Sequence, residues 1–355
     1  MSWENNVRKV VPYVAGEQPK SKNVIKLNTN ECPYPPAPGV EAALNHFDYD
    51  VLRKYPDPDV ADLRAVLAAR YKVPAEQVFV GVGSDDVLAM AFLTFFNSDK
   101  PILFPDITYS FYDVWADLYR IPYECQVLDE KFEIKKEDYF KENGGIVIAN
   151  PNAPTGVAAS VSMIEEIIKE NQDVVVIVDE AYVDFGGESC VPLVEKYDNL
   201  LVVQTFSKSR SMAGMRIGFA IGSKKLIGFL NDAKFSFNSY TMNATSIIAG
   251  VASVEDEAYF QKITGKVIAT REWTKKELTR LGFTFTDSKT NFIFATHKSI
   301  PAQEIFDVLR ENQIFVRHWN KERISNYLRI SIGTDEQMQK LVGCLKEYIE
   351  KKKRK

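Results

Sequence analysis

The chain has 355 residues, a formal net charge of −4 and 45% hydrophobic residues, so it can bury a sizeable core and offers no basic face for nucleic acid. Cysteines at 32, 125, 190 and 344 form no Cys-x-x-Cys pair and the histidines at 46, 297 and 318 lie far apart, which argues against a metal centre or disulfide framework and fits a reducing, cytoplasmic setting. The opening MSWENNVRKVVPYVAGEQ has no apolar core for a signal peptide, and the strongest apolar run, 174–178, is too short to cross a bilayer, so no membrane contact is expected.

Residues 1–45 are rich in Pro and Asn. Asp57-Pro58 predicts an N-cap followed by Pro at the first helical position, with Val60, Leu63, Val66 and Leu67 along one apolar face. A strand over 78–82 ends in Gly81-x-Gly83, and Ser84 is expected to cap a helix whose apolar face is Val87, Leu88, Ala91 and Phe95. Further strands are predicted over 101–104, 146–149, 174–178, 200–204 and 217–221, with a helix over 161–170 carrying Ile164, Ile167 and Ile168. Helices over 266–281, 301–312 and 336–352 follow, the last running into a basic end that reads as solvated. Residues 282–333 look like a small α+β unit. The alternation predicts an α/β fold: a mostly parallel central sheet flanked by helices, with a smaller α+β domain built from both termini. The expected division is 46–260 for the large domain, and 1–45 with 261–355 for the small one.

Four stretches could carry chemistry. GVGSDD (81–86) joins glycines to a helix N-terminus, which attracts phosphate, although an ordinary capped turn has the same look. It lacks the Gly-Lys-Ser/Thr ending of a nucleotide P-loop and the dinucleotide fingerprint. ANPNAPTGV (149–157) restrains Asn152 between two prolines at a strand end, where ligands bind in open α/β sheets. VVVIVDEAY (174–182) delivers Asp179 and Glu180 to another strand end, and an Asp there needs a cation: a protonated ring nitrogen or, as the rival, magnesium. In TFSKSRSMAGMRIGF (205–219) Lys208 follows a strand and could attack a carbonyl, while Ser207, Ser209 and Arg216 suit a phosphate and Gly214 and Gly218 would allow close backbone approach. A lone loop lysine is usually just a solvated charge. An amine for an aldehyde, an anion for a pyridinium nitrogen, donors for a phenolic oxygen and a cup for a phosphate are together what pyridoxal phosphate requires.

N-P-N-A-P-T-G, D-E-A-Y, S-K-x-x-x-x-A-G-x-R-x-G-F and L-R-I-S-I-G-T, in this order, resemble fold-type I pyridoxal-phosphate aminotransferases, and most of all the histidinol-phosphate aminotransferase family. LNTNECPYPP (27–36), RKYPDPD (53–59) and FPDITYSFY (104–112) extend the resemblance over nearly the whole chain. It implies Lys208 as the lysine that holds the cofactor aldehyde, Asp179 against the pyridine nitrogen, Asn152 and Tyr182 on the phenolic oxygen, and Tyr109 stacked on the ring. Gly83, Ser84 and Asp85 through backbone amides, with Thr205, Ser207 and Arg216, would hold the phosphate. Tyr55 would reach the phosphate of a neighbouring subunit, so a homodimer is implied. Arg329 and Arg317 would bind substrate anions, and Tyr13 and Asn28 would line the entrance. The implied reaction transfers the amino group of L-histidinol phosphate to 2-oxoglutarate in histidine biosynthesis. Its rivals are an aromatic-amino-acid aminotransferase, threonine-phosphate decarboxylase and, in another class, a non-catalytic cofactor-binding regulator. Val82 and Asp86 depart from the family pattern, FNSYTMN (237–243) lacks its usual proline, and His318 has no assigned role.

Overall fold

The structure is a computed structural model and describes residues 2–14, 16–19 and 23–354. Seven strands form the central sheet in the spatial order Val78–Gly81, Gly218–Gly222, Leu200–Thr205, Val176–Asp179, Gly145–Ala149, Ile102–Pro105 and Tyr123–Gln126. All run in one direction except Gly218–Gly222, which is antiparallel to both neighbours. Neighbouring residues on a buried strand serve opposite cores. Val176, Val178, Leu200 and Val202 pack with Leu63, Leu67, Ile164 and Ile167 on one face. Ile177, Leu201 and Val203 pack with Val87, Leu88, Ala91 and Leu226 on the other. Both faces are covered, so the strands read as continuous apolar runs.

The predicted elements need four adjustments. Edge strand Tyr123–Gln126 is mostly exposed and carries no apolar run, so nothing in YECQ announces it. The helix after Asp57 spans Ala61–Tyr71 because Val60 takes a left-handed backbone, φ 52°. Asp57 still serves it from outside, its Oδ2 accepting from the Ala61 amide at 2.7 Å. The helix predicted from 266 is one long helix, Glu257–Arg280, capped by the Asp256 side chain. Helices Pro38–Asn45, Tyr112–Tyr119, Lys224–Phe237 and Ala244–Glu255 go beyond the prediction; exposed Phe229, Phe235 and Phe237 blur the apolar periodicity of Lys224–Phe237.

A second, antiparallel sheet has the order Arg317–His318, Leu328–Ser331, Phe292–His297 and Phe283–Phe285. Ile25–Lys26 pairs in parallel with Ile314–Phe315, and Leu27 joins the core of Val267, Ile293 and Leu341. The N-terminal segment is thereby tied to the last third of the chain. Among the described residues no helix is long and apolar enough to cross a membrane.

Candidate active site

At one edge of the central sheet six strands end together and Gly218–Gly222 begins. The turn after Val78–Gly81 places Gly83 at the cap of helix Ser84–Phe95 with φ 88°, and no side chain caps that helix. Ser84 is therefore the first helical residue, not the cap expected from the sequence. The amides of Ser84 and Asp85 have no acceptor inside the helix, which leaves a site for an anion. A Cβ on Gly83 would stand 2.5 Å from Arg216 Nη2, and one on Gly218 would overlap the Ser84 amide nitrogen. Both glycines are required by contact. Gly214 meets nothing within 4 Å, so the close approach expected there is absent.

A cavity of about 180 Å³ opens above this edge, and Ser84, Tyr109, Asp179, Tyr182, Lys208 and Arg216 all face it. Asp85, Thr205 and Ser207 complete its anion-binding end. Arg216 donates to the Ala213 carbonyl at 3.2 Å. It reaches the side chains that face it, Ser207 Oγ and Asp85 Oδ2, only at 3.5 Å each, too long to hold the guanidinium firmly against them. At the other end Asp179, 4% exposed, accepts from the Tyr112 hydroxyl at 2.8 Å and the Ala181 amide at 3.1 Å. Burial nevertheless pushes its carboxyl up to about 6. A cation beside it would relieve that cost. Lys208 Nζ donates to the Thr29 carbonyl at 3.2 Å and lies 5.7 Å from the Tyr182 ring centroid. Tyr109 donates to Asp85 Oδ1 at 2.7 Å and packs on Phe111 and Tyr112. Burial and Asp85 hold its hydroxyl well above the ordinary tyrosine value, so it stays protonated.

Next to this cavity lies a cleft of about 430 Å³ lined by Tyr13, Tyr109, Arg317, Trp319 and Arg329. Arg317 and Arg329 are direct cross-strand partners in an antiparallel pair. Like charges so placed are unfavourable until an anion joins them. Burial lowers the Arg329 value, and Arg317 lowers it further. Arg329 Nη2 donates to the Asn28 carbonyl at 2.9 Å. Asn28 Oδ1, Thr29 Oγ1 and Arg329 Nε are buried without a hydrogen-bond partner among the described residues. Polar atoms left so are costly unless a ligand meets them.

Two of the expected residues stand apart. Asn152 is missing from the cavity wall: its Nδ2 donates to the Ile107 carbonyl at 2.8 Å and to Thr155 Oγ1 at 3.0 Å, and its Oδ1 accepts from Thr108 at 2.8 Å. To reach a ligand oxygen it would have to exchange one of these bonds. Tyr55 lies on the surface, 81% exposed, stacked on Tyr240 of the FNSYTMN loop at 4.7 Å. Tyr13 stacks on Phe111 at 4.2 Å, and Asn28 Nδ2 donates to the Glu17 carbonyl at 2.7 Å. Residues not singled out from sequence also matter: Tyr112 orients Asp179, and Asn30 Nδ2 donates to the Tyr182 hydroxyl at 2.9 Å. Tyr112 lies within FPDITYSFY and Asn30 within LNTNECPYPP, so the motifs were visible though their partners were not.

Residues 22–345 match the model of the family described as aminotransferase class I and II. The histidinol-phosphate aminotransferase of Lactococcus lactis subsp. cremoris is 55% identical over 354 residues, 100% of this chain and 99% of that protein. The Clostridium botulinum (strain Okra) histidinol-phosphate aminotransferase is 52% identical over 349 residues, covering 98% of this chain and 99% of its own. Among solved structures, histidinol-phosphate aminotransferase from Sinorhizobium meliloti, in complex with pyridoxal-5′-phosphate, superposes with a TM-score of 0.84 at 22% identity, covering 92% of this chain and 91% of that one. That likeness speaks for the fold.

Proposed function

This chain belongs to the class I and II aminotransferases, among their histidinol-phosphate aminotransferases, and we propose that it moves the amino group of L-histidinol phosphate to 2-oxoglutarate with pyridoxal 5′-phosphate in the cavity at the sheet edge. One observation supports the cofactor most directly: an anion cup, a buried carboxylate and a lysine amine share one cavity of about 180 Å³. The residues fit the group at each end. Free helix amides, Ser207 and a loosely held Arg216 suit the phosphate, and Asp179, costly when charged alone, suits a ring cation. When bound, the cofactor supplies an electron sink that makes the donor's Cα proton removable.

The chain's own side chains do the rest. Lys208 Nζ, once freed from the Thr29 carbonyl, would hold the cofactor's aldehyde end and would be the base placed to move the proton at the donor Cα. Tyr112 and the Ala181 amide fix the Asp179 carboxylate, which would meet the ring cation. Tyr182, set by Asn30, would donate to the cofactor's phenolic oxygen, and Tyr109 would pack on its ring. Asn152 braces the 107–109 turn that carries Tyr109. Arg329 and Arg317 receive the phosphate of histidinol phosphate and, in turn, a carboxylate of glutamate or 2-oxoglutarate. The polypeptide divides into a large unit, 46–260, and a small unit, 1–45 with 261–355, with the cleft between them. Helix Pro38–Asn45 of the first segment nevertheless packs on the core of the large unit. Exposed Tyr55 and Tyr240 favour a homodimer in which Tyr55 serves the neighbouring site.

One pocket thus serves both substrates in alternation. Initial rates at several fixed 2-oxoglutarate concentrations should give parallel double-reciprocal lines. Intersecting lines would require both substrates bound together and would rule the shared pocket out.

A further inference from the structure

Between the two cleft arginines the chain makes a strap, residues 318–327, closed on itself where His318 Nε2 meets the Ser325 carbonyl at 2.7 Å. Its middle is anchored by Arg323, a non-glycine residue with φ 65°. Arg323 Nη1 donates to Asp106 Oδ2 at 2.7 Å, and Nη2 donates to the carbonyls of Leu128 at 2.7 Å and Asp129 at 2.9 Å. Its guanidinium also lies 5.8 Å from the Phe132 ring centroid. Asp106 uses its other oxygen to accept from the Leu128 amide at 3.0 Å. Asp106 opens the segment that follows strand Ile102–Pro105 of the central sheet and carries Thr108 and Tyr109, while Leu128 and Asp129 follow the edge strand Tyr123–Gln126. The strap itself belongs to the second sheet. Arg323 therefore crosses the cleft.

The strap's position reaches the arginines through Trp319. The Arg317 guanidinium lies 5.4 Å and the Arg329 guanidinium 5.2 Å from the Trp319 ring centroid. Two like charges share one aromatic ring, an arrangement that holds only while the ring stays put. The ion pair with Asp106 is partly exposed, so it adds little to stability; its value lies in a planar fork spanning three acceptors.

We infer that Arg323 is a positioning residue for the substrate anion, latching the strap to the turn that bears Tyr109 so that Trp319 holds Arg317 and Arg329 in aim. This rests on the reading of those two arginines as the anion site. A small misplacement of such groups is costly, because anchoring must be met at fixed geometry.

The test uses holoenzyme mixed with excess histidinol phosphate, following a single turnover by cofactor absorbance. In Arg323→Ala the half-saturating concentration should rise about tenfold, while the limiting rate stays within about threefold of wild type. The resting absorbance and melting temperature of the holoenzyme should be unchanged. Arg323→Lys should recover only part of the loss, since one ammonium cannot span the three acceptors. Because the latch acts through Arg329, the effect of Arg323→Ala should shrink in an Arg329→Ala background. Should Arg323→Ala fail to fold, Trp319→Leu interrupts the same path and should raise half-saturation equally. Unmoved half-saturation, a fall confined to the limiting rate, or full additivity with Arg329→Ala would overturn the latch. If Arg329→Ala weakens binding and Arg323→Ala does not, the latch alone fails. If Arg329→Ala has no effect, the anion site fails and the latch with it.

Discussion

Asp179 and Glu180 are adjacent in the chain but have separate duties. Asp179 faces the cavity, while Glu180 accepts from Ser189, from the Cys190 amide and from Gln204. Burial raises both carboxyls, Asp179 to about 6 and Glu180 to about 7. A raised carboxyl binds its proton more tightly in the folded chain than in the unfolded one. Its contribution therefore favours folding at low pH and is lost as the pH climbs from the unfolded values, about 4, through the folded ones. At ~1.4 kcal/mol per pKa unit, the cofactor-free protein should lose on the order of a few kcal/mol from this pair between about pH 5 and about pH 8. Urea unfolding at the two pH values should show that loss, and an Asp179→Asn/Glu180→Gln double variant should flatten it. An unchanged slope in the variant would contradict the assignment. Cofactor loading should reduce the Asp179 share, because a ring cation then offsets the buried charge. In the proposed mechanism Lys208 has the largest single role. Proton transfer by a positioned group is worth roughly 10²–10⁴-fold, and Lys208→Ala, which also removes the cofactor's tether, should lose more than that in turnover. Added small amines that restored nothing would fit a tethering role alone; partial rescue of turnover is the expected result.

At the scale of elements, the anion cup depends on how closely strand Gly218–Gly222 approaches the turn at Gly83-Ser84. Gly218→Ala should push the two apart, costing about 1–3 kcal/mol in stability as overpacking does, together with cofactor retention. Gly214→Ala, with open space around it, should change neither. Melting curves and residual cofactor absorbance after dialysis would show both effects, and equal behaviour of the two variants would refute the close-approach account. The same elements explain what could be read in advance. Apolar runs over 146–149, 174–178 and 200–204 announce buried parallel strands, and residues just past them fall at one edge, so Asp179 and Lys208 were placed by periodicity alone. Contacts between distant segments were hidden. The Tyr112 hydroxyl meets Asp179 across 67 residues of sequence, and Thr108 meets Asn152 across 44. Neither has a local signature. The Ser84 cap failed because a left-handed glycine can end a strand and open a helix without a side-chain acceptor. The pairing of Arg317 with Arg329 was likewise invisible, since it depends on how the strap between them folds back.

At the scale of the whole molecule, the two sheets meet at the cleft, and the proposed mechanism holds an anion site of one against a cofactor site of the other. In its proposed role Tyr55 would extend this logic beyond a single chain. Exposed and stacked on Tyr240, it lies outside the cavity wall of its own subunit. Mixing Lys208→Ala subunits with Tyr55→Ala subunits should restore activity, because one site of each mixed dimer would then combine an intact Lys208 with an intact Tyr55. If Tyr55 served its own chain, every site would remain defective and mixing would recover nothing.

The central claim is that the amino group leaves histidinol phosphate at a site built from Lys208 and the two cleft arginines. Holoenzyme mixed with histidinol phosphate, phenylalanine, aspartate or threonine phosphate, with no 2-oxo acid present, tests it through the cofactor's absorbance. Histidinol phosphate should convert the cofactor with far higher efficiency than the other three. A stronger response to phenylalanine or aspartate, or release of carbon dioxide from threonine phosphate, would contradict it.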